Sequence, residues 1–320
     1  MKKTFILFTI LFSMMASISA MDYDIFFTNE QLRIDYYIYG DSDSCTYALD
    51  KYVKEPVWGG TRKCLVDPLG YGDYFFEMSL HDSDVVIYSR GYNNLFGEWQ
   101  TTPEAEQITR GFNESVIMPF PKEVVDVNFY MRDYNGSFIQ KMSLTINPED
   151  YFIQNAPQYH YSIFNVYGNF SPEKAVDIVI LPDGYTQEEM GKFVNDCNFF
   201  AECLFSYEPY TSYKDRFNIR AVMAPSRDSG ITIPADGIWK NTAVNCSFYT
   251  FDSERYCMSY DNQSIRNLAG QVPYDQIYIL ANTSKYGGGG IYNFYCVSST
   301  DDSFSSDVII HEFGHGFAGL

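Results

Sequence analysis

The chain has 320 residues, a formal net charge of −19 at pH 7, and a hydrophobic fraction of 46%. This length permits two domains with hydrophobic cores of their own. The strong negative charge argues against nucleic acid, or an anionic membrane surface, as a partner.

The first 20 residues have the composition of a signal peptide. Lys2 and Lys3 precede an apolar run at residues 5–15, and small residues then follow up to Ala20. This run is shorter than the roughly 20 residues that a transmembrane helix needs. We therefore expect cleavage after Ala20 and a secreted, periplasmic or cell-surface protein with no stable membrane span. No cysteine lies near the cleavage site, so a lipid anchor is not indicated.

Residues 21–147 are predicted to form an all-β sandwich. Leu32, Ile34, Tyr36 and Ile38 alternate with polar or exposed positions, which is the period of a half-buried strand. Residues 81–84 are predicted to be a hairpin turn. A second turn is predicted at Asn135-Gly136, because this dipeptide tolerates the positive φ angles of a tight hairpin. Several short strands with frequent turns favour a sandwich.

Residues 148–157 are interpreted as a linker, and residues 158–320 as a second domain that mixes helix and sheet. In this second domain, an apolar strand at residues 176–181 precedes a turn, and Thr186 with Glu189 forms a capping box that predicts a helix through about Leu204.

A glycine run at residues 287–290 follows another predicted strand, at residues 276–281. The run is either a flexible hairpin or a loop that lets a substrate backbone approach closely. Residues 291–297 are predicted to be the edge strand to which an extended substrate adds as a further strand. We place this edge beside the helix that the next residues predict.

The sequence His311-Glu312-Phe313-Gly314-His315 has the spacing of a zinc peptidase motif. Residues four apart on a helix lie about 40° apart around its axis, so His311 and His315 can bind one metal ion. Glu312 would then be the general base that takes a proton from a metal-activated water. Ser305, Ser306 and Asp307 offer a cap and a first-turn acid for this helix. Ile309, Phe313 and Phe317 recur every four residues and are predicted to bury one side of it.

Seven cysteines in an exported chain favour disulfides, although an odd number leaves at least one cysteine without a partner in the chain. Cys45 with Cys64 and Cys246 with Cys257 are the pairs predicted for a first test. A metal role for the cysteines is not expected, since no two of them have the two-residue spacing of a metal site.

The chain resembles the immunoglobulin A peptidase family of secreted bacterial zinc metallopeptidases, in its Bacteroidetes-type form with an N-terminal β-sandwich domain. The resemblance covers nearly all of the mature chain. It is carried by residues 55–60, 88–91, 98–102, 176–185, 287–290 and 311–320. It implies a zincin-like α/β peptidase domain after the sandwich, with His311 and His315 as zinc ligands and Glu312 as the catalytic acid/base.

A third zinc ligand is not found by this comparison. In related peptidases with a third histidine, a glycine stands three residues after the second histidine, whereas here Ala318 has that position and Gly319 follows. We expect a third ligand beyond Leu320, in a peptidase domain truncated after the metal-binding helix. Two protein ligands alone would hold zinc weakly.

The predicted function is a secreted zinc endopeptidase that acts on protein or glycoprotein substrates. The alternative is an exported β-sandwich binding or adhesion module whose peptidase half is incomplete and inactive. A two-histidine site for copper or nickel is chemically allowed, but it needs ligands that the sequence does not supply.

Overall fold

A computed structural model describes residues 22–320, so the predicted signal peptide lies outside the described residues. The described part is mostly β-sheet and has few helices. Its strands form three sheets, two with four strands and one with six. No helix within residues 22–320 combines the length and the apolar character needed to span a bilayer.

The two smaller sheets make up the first half of the chain. One has the strand order β5-β1-β2-β8 and consists of β1 (Phe27–Gly40), β2 (Cys45–Glu55), β5 (Arg110–Pro121) and β8 (Gln154–Asn155). The other has the order β4-β3-β6-β7 and consists of β3 (Tyr74–Leu80), β4 (Val86–Tyr92), β6 (Val125–Arg132) and β7 (Phe138–Ile146). Two short helices, α1 (Tyr23–Phe26) and α2 (Leu95–Gln100), accompany these strands. This half is therefore mainly, but not entirely, β.

Local patterns predicted several strands and two turns of the first half correctly. The four apolar residues named for β1, from Leu32 to Ile38, are fully buried. Strands β3 and β4 pair antiparallel around the predicted turn at residues 81–84. Strands β6 and β7 pair on either side of Asn135-Gly136, where Gly136 has a φ of +81°.

The middle of the polar face of β1, at residues 31–35, is buried as well, although the alternation predicted exposure. Arg33 and Asp35 are each only 1% exposed. Arg33 donates to Glu55 at 2.9 Å, and Gln31 donates to the hydroxyl of Tyr274 at 3.3 Å. Tyr274 belongs to the second half of the chain, so this face is covered by the other half and its charges are paired inside the contact.

The six-stranded sheet forms the centre of the second half. Its order is β13-β14-β12-β10-β11-β9, with β9 (Ile163–Tyr167), β10 (Val176–Asp183), β11 (Phe217–Val222), β12 (Gln276–Ala281), β13 (Gly288–Gly290) and β14 (Tyr295–Ser299). Strands β10, β11, β12 and β14 run parallel, and β9 and β13 are antiparallel edges. The helices are α3 (Met190–Leu204), α4 (Asn262–Ala269) and α5 (Ser305–Phe313), with short 3₁₀ turns at Pro172–Lys174, Gln187–Glu189, Lys214–Arg216, Pro234–Asp236 and Thr250–Asp252.

The capping box is confirmed, and the predicted edge strand is wrong. The Thr186 N–H donates to the Glu189 carboxylate at 2.8 Å before α3 begins. Residues 291–297 do not form the edge, because Ile291 turns back to bond with Tyr295 and the chain then enters β14, between β12 and β13. The glycine run itself supplies the edge strand β13.

Two hydrophobic clusters fill the interior. The larger one joins both halves, with Ile34 and Phe129 from the first half and Ile277 and Val297 from the second. The smaller one lies between the six-stranded sheet and helices α3 and α5, and it includes Ile309. Helix α5 is thereby fixed against the sheet.

The described residues contain seven free cysteines, so the expectation of disulfides is not met in this structure. The Cys45 thiol contacts the sulfur of Met131 at 3.5 Å, and the Cys64 thiol contacts the carbonyl oxygen of Val66 at 3.8 Å. Cys45 and Cys64 therefore pack in different surroundings. Cys246 and Cys257 are both buried. Burial is the main cause that raises the pKa of Cys246 well above its usual value, and the neighbouring Cys257 thiol adds to the rise.

A buried carboxyl links strand β5 to the start of α2 within the first half of the chain. Glu114 on β5 is 4% exposed and accepts hydrogen bonds from the main-chain N–H groups of Leu95 and Phe96. Burial raises the pKa of Glu114 to about 8, although these two hydrogen bonds oppose the rise. Burial likewise raises the pKa of Asp275 to about 8.

These carboxyls predict that the protein becomes less stable as the solution turns alkaline. A carboxyl with a raised pKa binds its proton more tightly in the folded state than in the unfolded state. Its contribution to the free energy of unfolding is therefore complete below about pH 4 and is lost as the pH rises through about 8. Denaturant unfolding should give a lower free energy of unfolding at pH 9 than at pH 6. In Glu114→Gln this difference should be smaller, and the part that is left comes from Asp275. Glu123→Gln, at an exposed position, is the matched control. An unchanged pH dependence in Glu114→Gln would contradict the prediction.

Candidate active site

Helix α5 and the turn after it carry the histidine motif. The helix begins at Ser305, because Asp302 accepts from the Phe304 N–H at 2.8 Å and donates its own N–H to the Ser305 hydroxyl at 3.1 Å. Phe304 therefore occupies the cap position that the sequence assigned to a serine. After Phe313 the backbone continues as a π-helical turn, Gly314–Ala318.

The wider π-helical turn changes which side of the helix is buried. Ile309 and Phe313 are fully buried, as predicted. Phe317 is 37% exposed, because the i→i+5 turn moves the residue four places after Phe313 away from the buried side. The Phe317 ring instead stacks on Phe313 with their centroids 5.1 Å apart.

His311 and His315 point their imidazole rings to one place. Their Nε2 atoms are 3.1 Å apart, and a carboxylate oxygen of Glu312 completes a group whose ligand atoms all lie within 4.8 Å of one another. His311 is exposed and His315 is half-buried. The Nδ1 of His315 contacts the carbonyl oxygen of Leu320, which leaves Nε2 free to act as the coordinating atom.

Glu312 is half-buried, like His315, whereas His311 is exposed. Burial raises the pKa of Glu312 to about 7, the nearby negative charge of Glu98 adds to the rise, and Arg255 opposes it. The main-chain oxygen of Glu312 accepts from the buried Cys296 thiol on β14 at 3.0 Å. The sheet therefore supports the helix directly behind this carboxylate.

Strand β13 is glycine because helix α5 and Tyr256 leave no room for side chains. A Cβ atom on Gly290 would lie 2.6 Å from the Glu312 carbonyl oxygen and 3.0 Å from the His315 Cβ. A Cβ atom on Gly289 would lie 2.5 Å from the ring of Tyr256. The glycine run is an edge strand paired with β14 rather than a flexible hairpin, and these distances show that the protein's own side chains and helix backbone pack closely on it.

Gly290→Ala is expected to lower the free energy of unfolding by about 1–3 kcal/mol, because the new methyl group displaces the motif helix. We expect weaker zinc binding as well, since His315 is one of the displaced residues. Gly191→Ala is the matched control, because no atom lies within 4 Å of that Cβ position. Its stability should be unchanged or slightly raised. Denaturant unfolding and zinc titration measure both variants, and equal behaviour would contradict the steric argument.

The outer edge of β13, on the side away from β14, is paired at Gly288 with residues 255–257. The Gly288 N–H and C=O point away from β14 and bond to Arg255 and Cys257, each at 3.1 Å. Ladder bonds alternate along an antiparallel strand, so the main-chain groups of Gly290 point to this same side. Gly290 lines a cleft of about 1030 Å³ that also contains His311, Glu312 and His315.

The cleft contains residues from both halves of the chain, which sequence reasoning missed. Glu98 on α2, together with Arg255 and Tyr256, lines it beside the motif. The Tyr256 hydroxyl donates to the Glu98 carboxylate. Glu98 belongs to the segment 98–102 that carries the family resemblance, and an acid in that segment was the one available signal.

Comparison with known protein families gives one match in each half of the chain. The family model described as IgA Peptidase M64 matches residues 165–320, and the model described as Peptidase M64 N-terminus matches residues 22–143. A comparison with curated proteins gives no match. The histidine motif lies in the first match and Glu98 in the second, and the two together span most of the chain. The chain therefore belongs to the IgA peptidase M64 family, a family of metallopeptidases that act on protein or peptide substrates.

Proposed function

We propose that this protein is a secreted, zinc-dependent endopeptidase with His311 and His315 as metal ligands and Glu312 as the general base. The observation that carries the proposal is the convergence of both Nε2 atoms, 3.1 Å apart, beside the Glu312 carboxylate. Family membership supports a peptidase, and the arrangement of these three side chains supports the metal and the roles.

The donor set suits zinc. Two nitrogens that bind one tetrahedral zinc ion at about 2.0–2.1 Å stand roughly 3.3 Å apart, close to the separation of the two imidazole nitrogens. Imidazole nitrogen is a common zinc ligand, and the fixed Nδ1 of His315 suits a coordinating Nε2. When bound, zinc supplies Lewis-acid polarisation of the scissile carbonyl and acidifies a water molecule.

Glu312 would act first as the general base and then as the general acid of the reaction. Its carboxylate takes a proton from the attacking water as the water oxygen bonds to the carbonyl carbon of the substrate. It then gives that proton to the amide nitrogen as the carbon–nitrogen bond breaks, so that an acid and an amine leave. The hydrogen bond from the Cys296 thiol to the Glu312 main-chain oxygen holds the helix backbone against β14 at the residue that carries this carboxylate.

Gly290 would align the substrate. Its outward N–H and C=O can pair with the main chain of an extended peptide, next to the point where residues 255–257 already pair with Gly288. Because a Cβ atom at Gly290 would lie 3.0 Å from the His315 Cβ, β13 runs directly against the motif helix. A peptide paired there has its main chain next to the two imidazoles.

We propose a signal peptide at residues 1–20, a β-sandwich domain at residues 21–147, a linker at residues 148–157, and a zincin-like α/β peptidase domain from residue 158. The bounds of the two family matches, 22–143 and 165–320, support this division. The mixed six-stranded sheet with helices α3 and α5 supports the fold assigned to the peptidase part.

Reversible inactivation by a chelator tests this function. The purified protein is incubated with quenched fluorescent peptides before and after treatment with 1,10-phenanthroline, and again after zinc is restored. We expect cleavage to disappear with the chelator and to return with zinc, with internal cleavage sites by mass spectrometry. Absence of both hydrolysis and zinc binding would overturn the proposal and favour a binding module with an inactive peptidase half.

A further inference from the structure

Glu98 brings a carboxyl group from the first half of the chain into the cleft of the second half. It lies on α2, within the range matched by the N-terminal family model, and lines the cleft together with Glu312. Its carboxylate accepts the hydrogen bond of the Tyr256 hydroxyl. No residue of the histidine motif makes this contact, so the proposed reaction leaves Glu98 without a role.

Tyr256 connects this carboxylate to the glycine strand. Tyr256 forms a parallel β-bridge with Gly288. In this bridge the Gly288 N–H donates to the Arg255 carbonyl oxygen, and the Cys257 N–H donates to the Gly288 carbonyl oxygen. The Tyr256 ring lies so close to Gly289 that a Cβ atom there would be 2.5 Å away. The ring also packs on Phe251, with centroids 6.1 Å apart. A displacement of the Tyr256 ring would therefore also displace β13, the strand that borders the cleft.

Glu98 itself is held by a rigid support. The Asn94 side chain accepts from the Gly97 N–H at 2.9 Å at the start of α2. Glu114 accepts from the first N–H groups of the same helix, and Trp99, next to Glu98, is fully buried. The α2 backbone therefore has little freedom, and the carboxylate reaches the cleft from a fixed point.

We propose that Glu98 is a positioning residue of the active site. Its hydrogen bond fixes Tyr256 against β13, so that the phenol oxygen accepts a hydrogen bond from the substrate main chain and Gly290 keeps its distance from the motif. The N-terminal half thus supplies part of the peptidase cleft. This inference rests on the proposed function for its kinetic consequence, but not for its structural one.

Four variants of the full chain test the kinetic consequence. Glu98→Ala and Tyr256→Phe should each lower kcat/KM by roughly 10–100-fold, as expected for a residue that orients a neighbour in a site. The double variant should lose no more than Tyr256→Phe alone, because Tyr256→Phe already removes the hydrogen bond to Glu98 together with the phenol oxygen. Glu98→Gln keeps an acceptor oxygen in the same place and should restore activity to within about threefold of wild type.

Glu104→Gln is the matched control. Glu104 accepts from the Trp99 indole at 2.6 Å, close to Glu98 in sequence, but it does not line the cleft. It should change kcat/KM by less than about twofold. Additive losses in the double variant, or Glu98→Gln as impaired as Glu98→Ala, would overturn the positioning role.

Hydrogen exchange of the metal-free protein separates this inference from the proposed function. Glu98→Ala should speed amide exchange in residues 255–258 and 288–290 by at least about tenfold, and Glu98→Gln should leave it near wild type. This readout needs no hydrolysis, so it decides the role of Glu98 even if the protein cleaves nothing. Unchanged exchange in Glu98→Ala would overturn the inference while leaving the zinc peptidase proposal standing.

Discussion

Replacement of Glu312 by glutamine is expected to lower kcat/KM by roughly 10²–10⁴-fold while bound zinc stays near the wild-type level. Glutamine has nearly the same shape but cannot take a proton from water at neutral pH. His311 and His315 keep their positions in this variant, because the helix is held by Ile309 and Phe313 in the core rather than by Glu312. Peptide hydrolysis and zinc content are measured on the same preparation.

The control for this substitution is Glu202→Gln on α3, an exposed glutamate on a helix that packs on the same core. It should retain wild-type kcat/KM. Persistent hydrolysis by Glu312→Gln would remove Glu312 from the role of general base. Loss of zinc together with activity would instead make Glu312 a metal ligand.

Replacement of His311 by alanine is expected to reduce zinc affinity by on the order of 10²-fold or more, since the described residues bring only two imidazoles together. The His311 side chain is exposed, so its removal should leave the metal-free fold intact. Zinc that binds the folded state should raise the melting temperature of the wild-type protein, and this rise should vanish in His311→Ala. Calorimetric zinc titration and thermal unfolding measure the two effects.

His160→Ala serves as the control, because His160 is exposed and does not line the cleft. It should bind zinc as the wild-type protein does. Unchanged zinc binding in His311→Ala would place the metal site elsewhere in the protein.

The sequence could predict those parts of the fold and site that depend on neighbours along the chain. The i, i+4 spacing of His311 and His315 is a property of one helix, and Nε2 atoms 3.1 Å apart are what that spacing implies. The Thr186 capping box and the Asn135-Gly136 turn were equally local. In each case the physical cause of the observed geometry lies within a few consecutive residues.

Features that depend on distant segments were missed or wrong. Residues 291–297 read as an edge strand from their own composition, but β13 takes the edge because only glycine fits against Glu312 and Tyr256. Arg33 and Asp35 are buried because the other half of the chain covers them. The Glu98–Tyr256 hydrogen bond joins residues 158 positions apart, and no local pattern encodes it.

The glycine composition of β13 also has a consequence for selectivity. A strand without side chains offers an incoming peptide only main-chain groups, which are the same whatever the peptide's sequence. It can therefore favour an extended conformation but cannot distinguish one residue from another. Discrimination between peptides is left to the remaining walls of the cleft, where the exposed rings of Tyr286 and Phe304 stand edge to face, 6.2 Å apart. Substitutions at those two rings would retune which bonds are cut without disturbing how the peptide backbone is held.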